Sequence, residues 1–288
     1  LRAPRTKPRL RAEGERAMQI TDAQVHIWGS GTPSGDHRQT PVFTVEELLA
    51  EMDEAGVHAA VIHPPVSWDP DANAIAEAAA AKHPDRFAIL GQVPLDTPET
   101  SRPLLKGWRD RPGQCGLRYP LVRADQHSWP FDGTLDWLWP AAEAEGLPVA
   151  TMAWRFLPEF AAIAERHPRL RLIIDHCGLI RHEKGAAAFS NLDAVCALAR
   201  LPNVALKATG APGYSREAYP FRDIHDGLHR LYDAFGPDRF FWGTDITRMP
   251  CSWRQCITLF TEELPWLRGP QMERVMGGAI RDWIGWGR

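Results

Sequence analysis

Three side chains able to bind a metal, hold a water or move a proton stand at the ends of short apolar runs. They are His26 after Asp22-Ala-Gln24-Val, His176 after Leu172-Ile-Ile-Asp175, and Asp245 after Phe240-Phe-Trp-Gly-Thr. Two cations occupy similar places, Arg118 in Gly116-Leu-Arg118-Tyr119 and Lys207 in Leu206-Lys207-Ala-Thr209. Two imidazoles beside a carboxylate can ligate a divalent ion or activate a water. Arg and Lys can bind an anionic group, Arg through two parallel N–H bonds. One such residue at a strand end is explained by the strand meeting solvent, but five strands ending this way point to one site. Period-two alternation places Asp22, Gln24 and His26 on one strand face, so Gln24 joins the candidates.

The elements that must position them are read from alternation. Strand-like runs cover 18–28, 57–63, 87–93, 114–119, 147–152, 170–175, 203–208 and 239–243. Helical stretches cover 45–55, 72–82, 135–145, 158–166, 187–199 and 224–235, with a third connection helical around 101–109 and a last helix over 253–263. Thr44 with Glu47 forms a capping box, Asp71 can cap the next helix, and Pro168 stops the helix before it. Strands alternating with helices predict a parallel sheet, and eight such units predict a single-domain (β/α)8 TIM barrel with its chemistry at the C-terminal strand ends. There is no G-x-G-x-x-G and no P-loop, which removes support for dinucleotide or ATP binding. Residues 211–222, after strand seven, are read as a lid or a plain loop.

Composition narrows the function further. A chain of 288 residues with formal net charge -3 has no electrostatic pull toward nucleic acid. Five scattered cysteines without a C-x-x-C pair argue against a zinc knuckle or a disulfide framework and fit a reducing, cytoplasmic setting. No apolar run is long enough to span a membrane. The expected partner is a small-molecule substrate, with no nucleic acid and no membrane; a homo-oligomer is left open. Residues 1–17 are rich in Arg and Lys and read as a disordered or artificially added extension, leaving 18–288 as the barrel domain.

These motifs resemble the amidohydrolase superfamily, in particular the amidohydrolase-related (amidohydrolase 2) branch that includes pyrone-dicarboxylate and sugar-lactone lactonases. Asp22-Ala-Gln-Val-His26-Ile-Trp28 is similar to its D-x-H-x-H-x-[WF] signature, and Ile174-Asp175-His176-Cys-Gly178 to its D-H-x-G. Gly116-Leu-Arg118, Lys207-Ala-Thr209-Gly210, Trp242-Gly243-Thr244-Asp245 and Met276-Gly-Gly278-Ala279 resemble further segments in order. Three positions depart from the pattern: Gln24 replaces the first His of H-x-H, strand five ends Ala150-Thr151-Met152-Ala153 without a ligand, and Ala279 replaces an Asn.

The resemblance implies a hydrolase, and lactone opening within it. Amide oxygen is a poor zinc ligand, so Gln24 favours chemistry without a cofactor. The alternative is one divalent metal such as Zn on His26, His176 and Asp245, serving a metal-dependent amidohydrolase or decarboxylase; a non-catalytic binding barrel is the third reading. In the metal-free scheme Asp245 is the general base, its pKa raised by burial. His26 and His176 give N–H groups to the oxyanion, Gln24 adds a donor, and Arg118 and Lys207 bind a substrate carboxylate. Trp28 and Trp154 are assigned to substrate binding within an aromatic wall that also draws on Trp68, Trp129 and Trp242. Arg123, His127, Arg155 and Arg248 are second-tier loop candidates, and His63 is a further one.

Overall fold

Apolar runs of three to six residues form eight strands: β1 (Thr21–Val25), β2 (Ala59–Ile62), β3 (Phe87–Gly91), β4 (Gln114–Tyr119), β5 (Val149–Thr151), β6 (Leu172–Ile174), β7 (Val204–Ala208) and β8 (Phe240–Trp242). In a computed structural model describing residues 18–287, they pair in sequence order, each parallel to the next. The extension expected over 1–17 lies outside the described residues. Helices α1 (Val45–Ala55), α2 (Ala72–Lys82), α3 (Pro98–Leu105), α4 (Leu138–Ala144), α5 (Leu157–Arg166), α6 (Leu192–Ala197), α7 (His225–Phe235) and α8 (Trp253–Thr258) follow the strands in turn. The fold is the expected (β/α)8 TIM barrel, and its five cysteines are free. No helix among the described residues is long and apolar enough to cross a membrane.

Several boundaries differ from expectation for local reasons. The α1 capping box forms as read, but Asp71 makes no capping bond; its own N–H donates to Asp69 Oδ1 at 3.1 Å. α3 begins earlier, at Pro98, because proline suits a first turn, and Gly107 in the left-handed region separates it from a short turn at Trp108–Asp110. α6 starts only at Leu192, since the Asn191 side chain donates to Gly178 O at 2.8 Å and ties the preceding chain to the barrel top. The 211–222 segment starts as a short buried turn: Ala211, Pro212 and Tyr214 are buried, and the Tyr214 hydroxyl donates to His176 O at 3.3 Å.

The barrel interior is layered. Every strand contributes to a lower cluster of small or apolar residues: Ala23, Val61, Ala88 with Leu90, Cys115, Ala150, Ile173, Ala205 and Phe241. Below it lie Ala279, Ile280 and Ile284 of the terminal helix α10 (Ala279–Ile284), which follows α9 (Gly269–Glu273). A Cβ on Gly277 would come within 2.7 Å of Gln19 O and 2.8 Å of Thr21 N, so the chain leading into α10 can approach the start of β1 only as glycine.

Asp22 joins the last strand to the first. It accepts from Thr244 N (2.8 Å) and Gln24 N (3.0 Å) on Oδ1, and from Thr244 Oγ1 (2.5 Å) and Trp253 Nε1 (3.0 Å) on Oδ2. Asp245 N donates to Gln24 O at 2.9 Å beside it. A Cβ on Gly243 would meet Ala23 N at 2.9 Å, which is why glycine stands at this seam. Full burial pushes the Asp22 carboxyl up to about 6, despite the four donors around it. Asp22→Ala leaves buried donors unpaired at the seam and should lower unfolding free energy by about 3 kcal/mol, read by urea denaturation. A loss below about 0.5 kcal/mol would show that the seam holds without the carboxylate.

Candidate active site

The register of β1 slips between Asp22 and Val25, and this bulge re-aims the side chains. Asp22, expected on the face of Gln24 and His26, instead turns to Thr244 and Trp253, while Ala23 enters the lower cluster. Gln24 points into a polar layer above it with His63, Arg118, Asp175 and Lys207, all buried. Asp175 organises that layer: Arg118 Nε donates to its Oδ2 at 2.9 Å, and Lys207 Nζ lies 2.7 Å from its Oδ1. Despite burial, the Lys207 ammonium and the Arg118 guanidinium hold the Asp175 carboxyl far below its ordinary range. Burial brings Lys207 down to about 8 against the pull of Asp175.

Above this layer the chain turns sharply. His176 and Asp245, just past β6 and β8, take the left-handed region at φ 51° and 57°, conformations that cost an ordinary residue energy and recur at functional sites. Asp245 Oδ1 lies 3.1 Å from His26 Nε2 and 4.0 Å from His37 Nδ1; Oδ2 lies 3.8 Å from His176 Nε2 and 3.4 Å from Arg248 Nη1. The His26 contact is close but off the axis of a hydrogen bond, so Oδ1 has no aligned partner among the described residues. His26 Nδ1 donates to His63 O at 2.5 Å, which leaves Nε2 as the ring nitrogen that faces Asp245.

Asp245 departs from the raised pKa expected of a buried base. Burial does push it up, but His26, His37 and Arg248 outweigh that and hold it well below the usual carboxylate range. Burial holds His37 at about 4 and, with Arg248 nearby, His176 at about 3, so both rings are neutral near pH 7.

The carboxylate opens into a cavity of about 690 Å³ bordered by His26, His37, Arg118, Arg181, Asp245 and Arg248, with Trp68, Trp129 and Met152 on its apolar side. Arg118 gives Nε to Asp175, and neither Nη has a hydrogen-bond partner among the described residues, leaving that end of the fork for a ligand. Gln24, Lys207 and His176 lie beneath, outside the lining. Lys207 therefore does not reach a substrate carboxylate in this arrangement, because Asp175 and Gln24 hold its ammonium. Trp28 is buried against Phe43 and Trp68, and its Nε1 donates to Thr40 O at 3.0 Å; Trp154 packs under the Arg155 guanidinium. Neither borders the cavity, so of the expected aromatic wall only Trp68 and Trp129 stand on it. Trp242 is buried and donates to Cys256 O at 3.2 Å, a packing role.

Sequence reasoning missed His37, Asp175 and Arg181. His37 lies in the irregular loop after β1, where no periodicity predicts its direction; Arg38 N to Thr247 O (2.8 Å) and His37 Nδ1 with Thr247 Oγ1 (2.8 Å) carry that loop across to the β8 end. Arg181 is held beside the cavity by Asp36 of the same loop at 2.8 Å. The residues present do fit a divalent metal. Ligand atoms of His26, His37 and Asp245 lie within 4.8 Å of one another, and Asp245 Oδ1 is buried without an aligned donor. This set replaces the expected His176 with His37.

A family model described as Amidohydrolase matches residues 21–270. The chain is 27% identical over 247 residues to the 4-sulfomuconolactone hydrolase of Hydrogenophaga intermedia, covering 80% of this chain and 77% of that protein. It is also 27% identical over 237 residues to the L-fucono-1,5-lactonase of Burkholderia ambifaria, covering 78% of this chain and 79% of that one. A solved amidohydrolase from Burkholderia multivorans with bound Zn superposes with TM-score 0.78 at 21% identity, over 93% of this chain and 99% of its own, a likeness of fold. With the barrel, the ordered strand-end motifs and the match over most of its length, the chain belongs to the amidohydrolase family and is a hydrolase.

Proposed function

We propose that the protein opens a small carboxylated cyclic ester, with Asp245 as the general base for water. The observation that carries this reading is the buried Asp245 carboxylate on the wall of a cavity that Arg118 also borders, with neither Arg118 Nη hydrogen-bonded among the described residues. Water attacks the ester carbonyl and its proton passes to Asp245. The low basicity of Asp245 makes this transfer late, as negative charge develops on the carbonyl oxygen. With the His26 and Gln24 donors directed away from the cavity, Arg118 and Arg248 are the donors for that oxyanion and for the substrate carboxylate. Collapse breaks the ring C–O bond, and Asp245 returns its proton to the leaving oxygen. A lactone leaves as an alkoxide or enolate, which needs less assistance than an amide leaving group. The names of the two curated relatives, both lactone hydrolases, support the bond type.

A second reading follows from the compact His26, His37 and Asp245 group. These residues would hold one divalent ion, which would polarise the carbonyl or lower the pKa of a water. In that case Asp245 serves as a ligand first.

Asp245→Asn should lower kcat by about a thousandfold with the melting temperature and near-UV spectrum kept. Retained turnover in a folded variant removes Asp245 as the base. Arg118→Lys keeps a cation for Asp175 but loses the fork. It should raise KM for carboxylated lactones about tenfold while leaving uncharged lactones little changed; an equal change for both classes counts against a carboxylate grip. Chelation should leave hydrolysis intact and metal analysis of unsupplemented protein should be substoichiometric. About one equivalent of Zn²⁺ or Mn²⁺ per chain with chelator-sensitive turnover would instead establish the metal reading. Because Asp245 is held below the usual carboxylate range, kcat/KM should show no fall through Asp245 as pH drops from 7 to 5. An acid limb in that window that Asp245→Glu displaces would contradict this assignment.

A further inference from the structure

Lys207 is fully buried and borders no part of the cavity, so its role must be exerted through neighbours. Besides its ion pair with Asp175, Nζ donates to Gln24 Oε1 at 2.8 Å. An ammonium only donates, so Gln24 must turn its carbonyl oxygen to Lys207 and its NH2 group the other way. In that direction Gln24 Nε2 lies 3.4 Å from His176 Nε2. An amide nitrogen also only donates, which makes His176 Nε2 the acceptor. A neutral imidazole accepting at Nε2 carries its proton on Nδ1. Nδ1 lies 3.0 Å from Thr209 Oγ1 and 3.4 Å from Thr209 O, both able to take that proton.

We infer that Lys207 and Gln24 are positioning residues that fix His176 as the Nδ1–H tautomer, aiming its Nε2 lone pair at the site of water activation beside Asp245. The inference rests on Asp245 as the acceptor of the water proton. His176 Nε2 lies 3.8 Å from Asp245 Oδ2, a separation that a shared water spans by giving one O–H to each. The 3.4 Å contact from Gln24 is long for a hydrogen bond, so the amide orients the lone pair while a water proton competes for it. Asp175 anchors the relay by holding Lys207, and Gln24 thereby has an orienting function at the position where the family pattern has a histidine. His176 is then an acceptor facing Asp245, and not the oxyanion donor expected from its place in the sequence.

The test is a long-range ¹H–¹⁵N spectrum of the full chain labelled with ¹⁵N-histidine, with His176 identified by the signals that vanish in His176→Asn. The wild-type ring should show a protonated Nδ1 and a bare Nε2. Gln24→Glu keeps an acceptor for Lys207 but sets a carboxylate against His176 Nε2. That ring should then gain a proton on Nε2, and kcat on a hydrolysed lactone should fall about tenfold or more, with KM changing less than about threefold. Gln24→Met, which removes the donor without adding charge, should give mixed tautomers and a smaller loss of kcat. A wild-type His176 protonated on Nε2 overturns the inference, even if a variant fails to fold. So does a Gln24→Glu protein with an unchanged tautomer and unchanged kcat. The expected tautomer in a wild-type protein that hydrolyses no lactone would leave the relay standing and reject the lactone reading alone.

Discussion

Charges buried inside a barrel must be neutralised largely by one another, because burial strips most of their hydration, and this constraint shapes everything above the apolar floor. Asp175 meets it for both Arg118 and Lys207. The consequences propagate upward in discrete steps. Holding Lys207 fixes the Gln24 amide, and holding Arg118 by Nε leaves its outer nitrogens for the cavity. A single carboxylate therefore sets both the polarity of the substrate pocket and the orientation of a buried amide. Such a layer is a weak source of net stability, since desolvation offsets attraction, but removing one member would strand the others.

Barrel closure and catalysis share backbone. The seam between β8 and β1 is held by Asp22 through Thr244 and Trp253, and Thr244 immediately precedes Asp245. The Asp245 N–H itself donates across the seam to Gln24 O. The left-handed turn at Asp245 thus starts from a fixed point, and so does the bulged β1 end that carries His26. A carboxylate at a strand end would otherwise sweep a wide arc; here its two oxygens are held at defined distances from two imidazoles and a guanidinium.

Asp245 shows why burial and function need not push a pKa in the same direction. A buried carboxyl among apolar groups would rise toward neutrality and become a better base, but three cationic or potentially cationic neighbours reverse the sign. A carboxylate held below its usual range is suited to orienting a water, or to ligating a cation, more than to withdrawing a proton early. The same acceptor-rich geometry therefore serves the metal-free and the metal-bound readings, and the identity of the bound species decides between them.

Much of the architecture was legible in the linear chain. Helix and strand periods differ, and each is imposed by local backbone geometry on which side chains can be buried, so eight alternations already imply the barrel and place His26, His176 and Asp245 at its active end. The capping box at Thr44 and Glu47 was equally local and equally readable. What the sequence left undetermined depended on register and on distant partners. The β1 bulge turned Asp22 away from the site, the pairing of Lys207 with Asp175 and Gln24 removed it from the cavity, and Trp28 was claimed by Phe43 and Trp68. His37 reached Asp245 from an irregular loop with no period to announce it. Residue type and spacing determine which groups arrive at the mouth of the barrel. Only the folded chain decides which of them face the ligand and which face each other, because that choice is made by tertiary contacts, several between residues more than a hundred positions apart, such as Lys207 with Gln24 and Thr244 with Asp22.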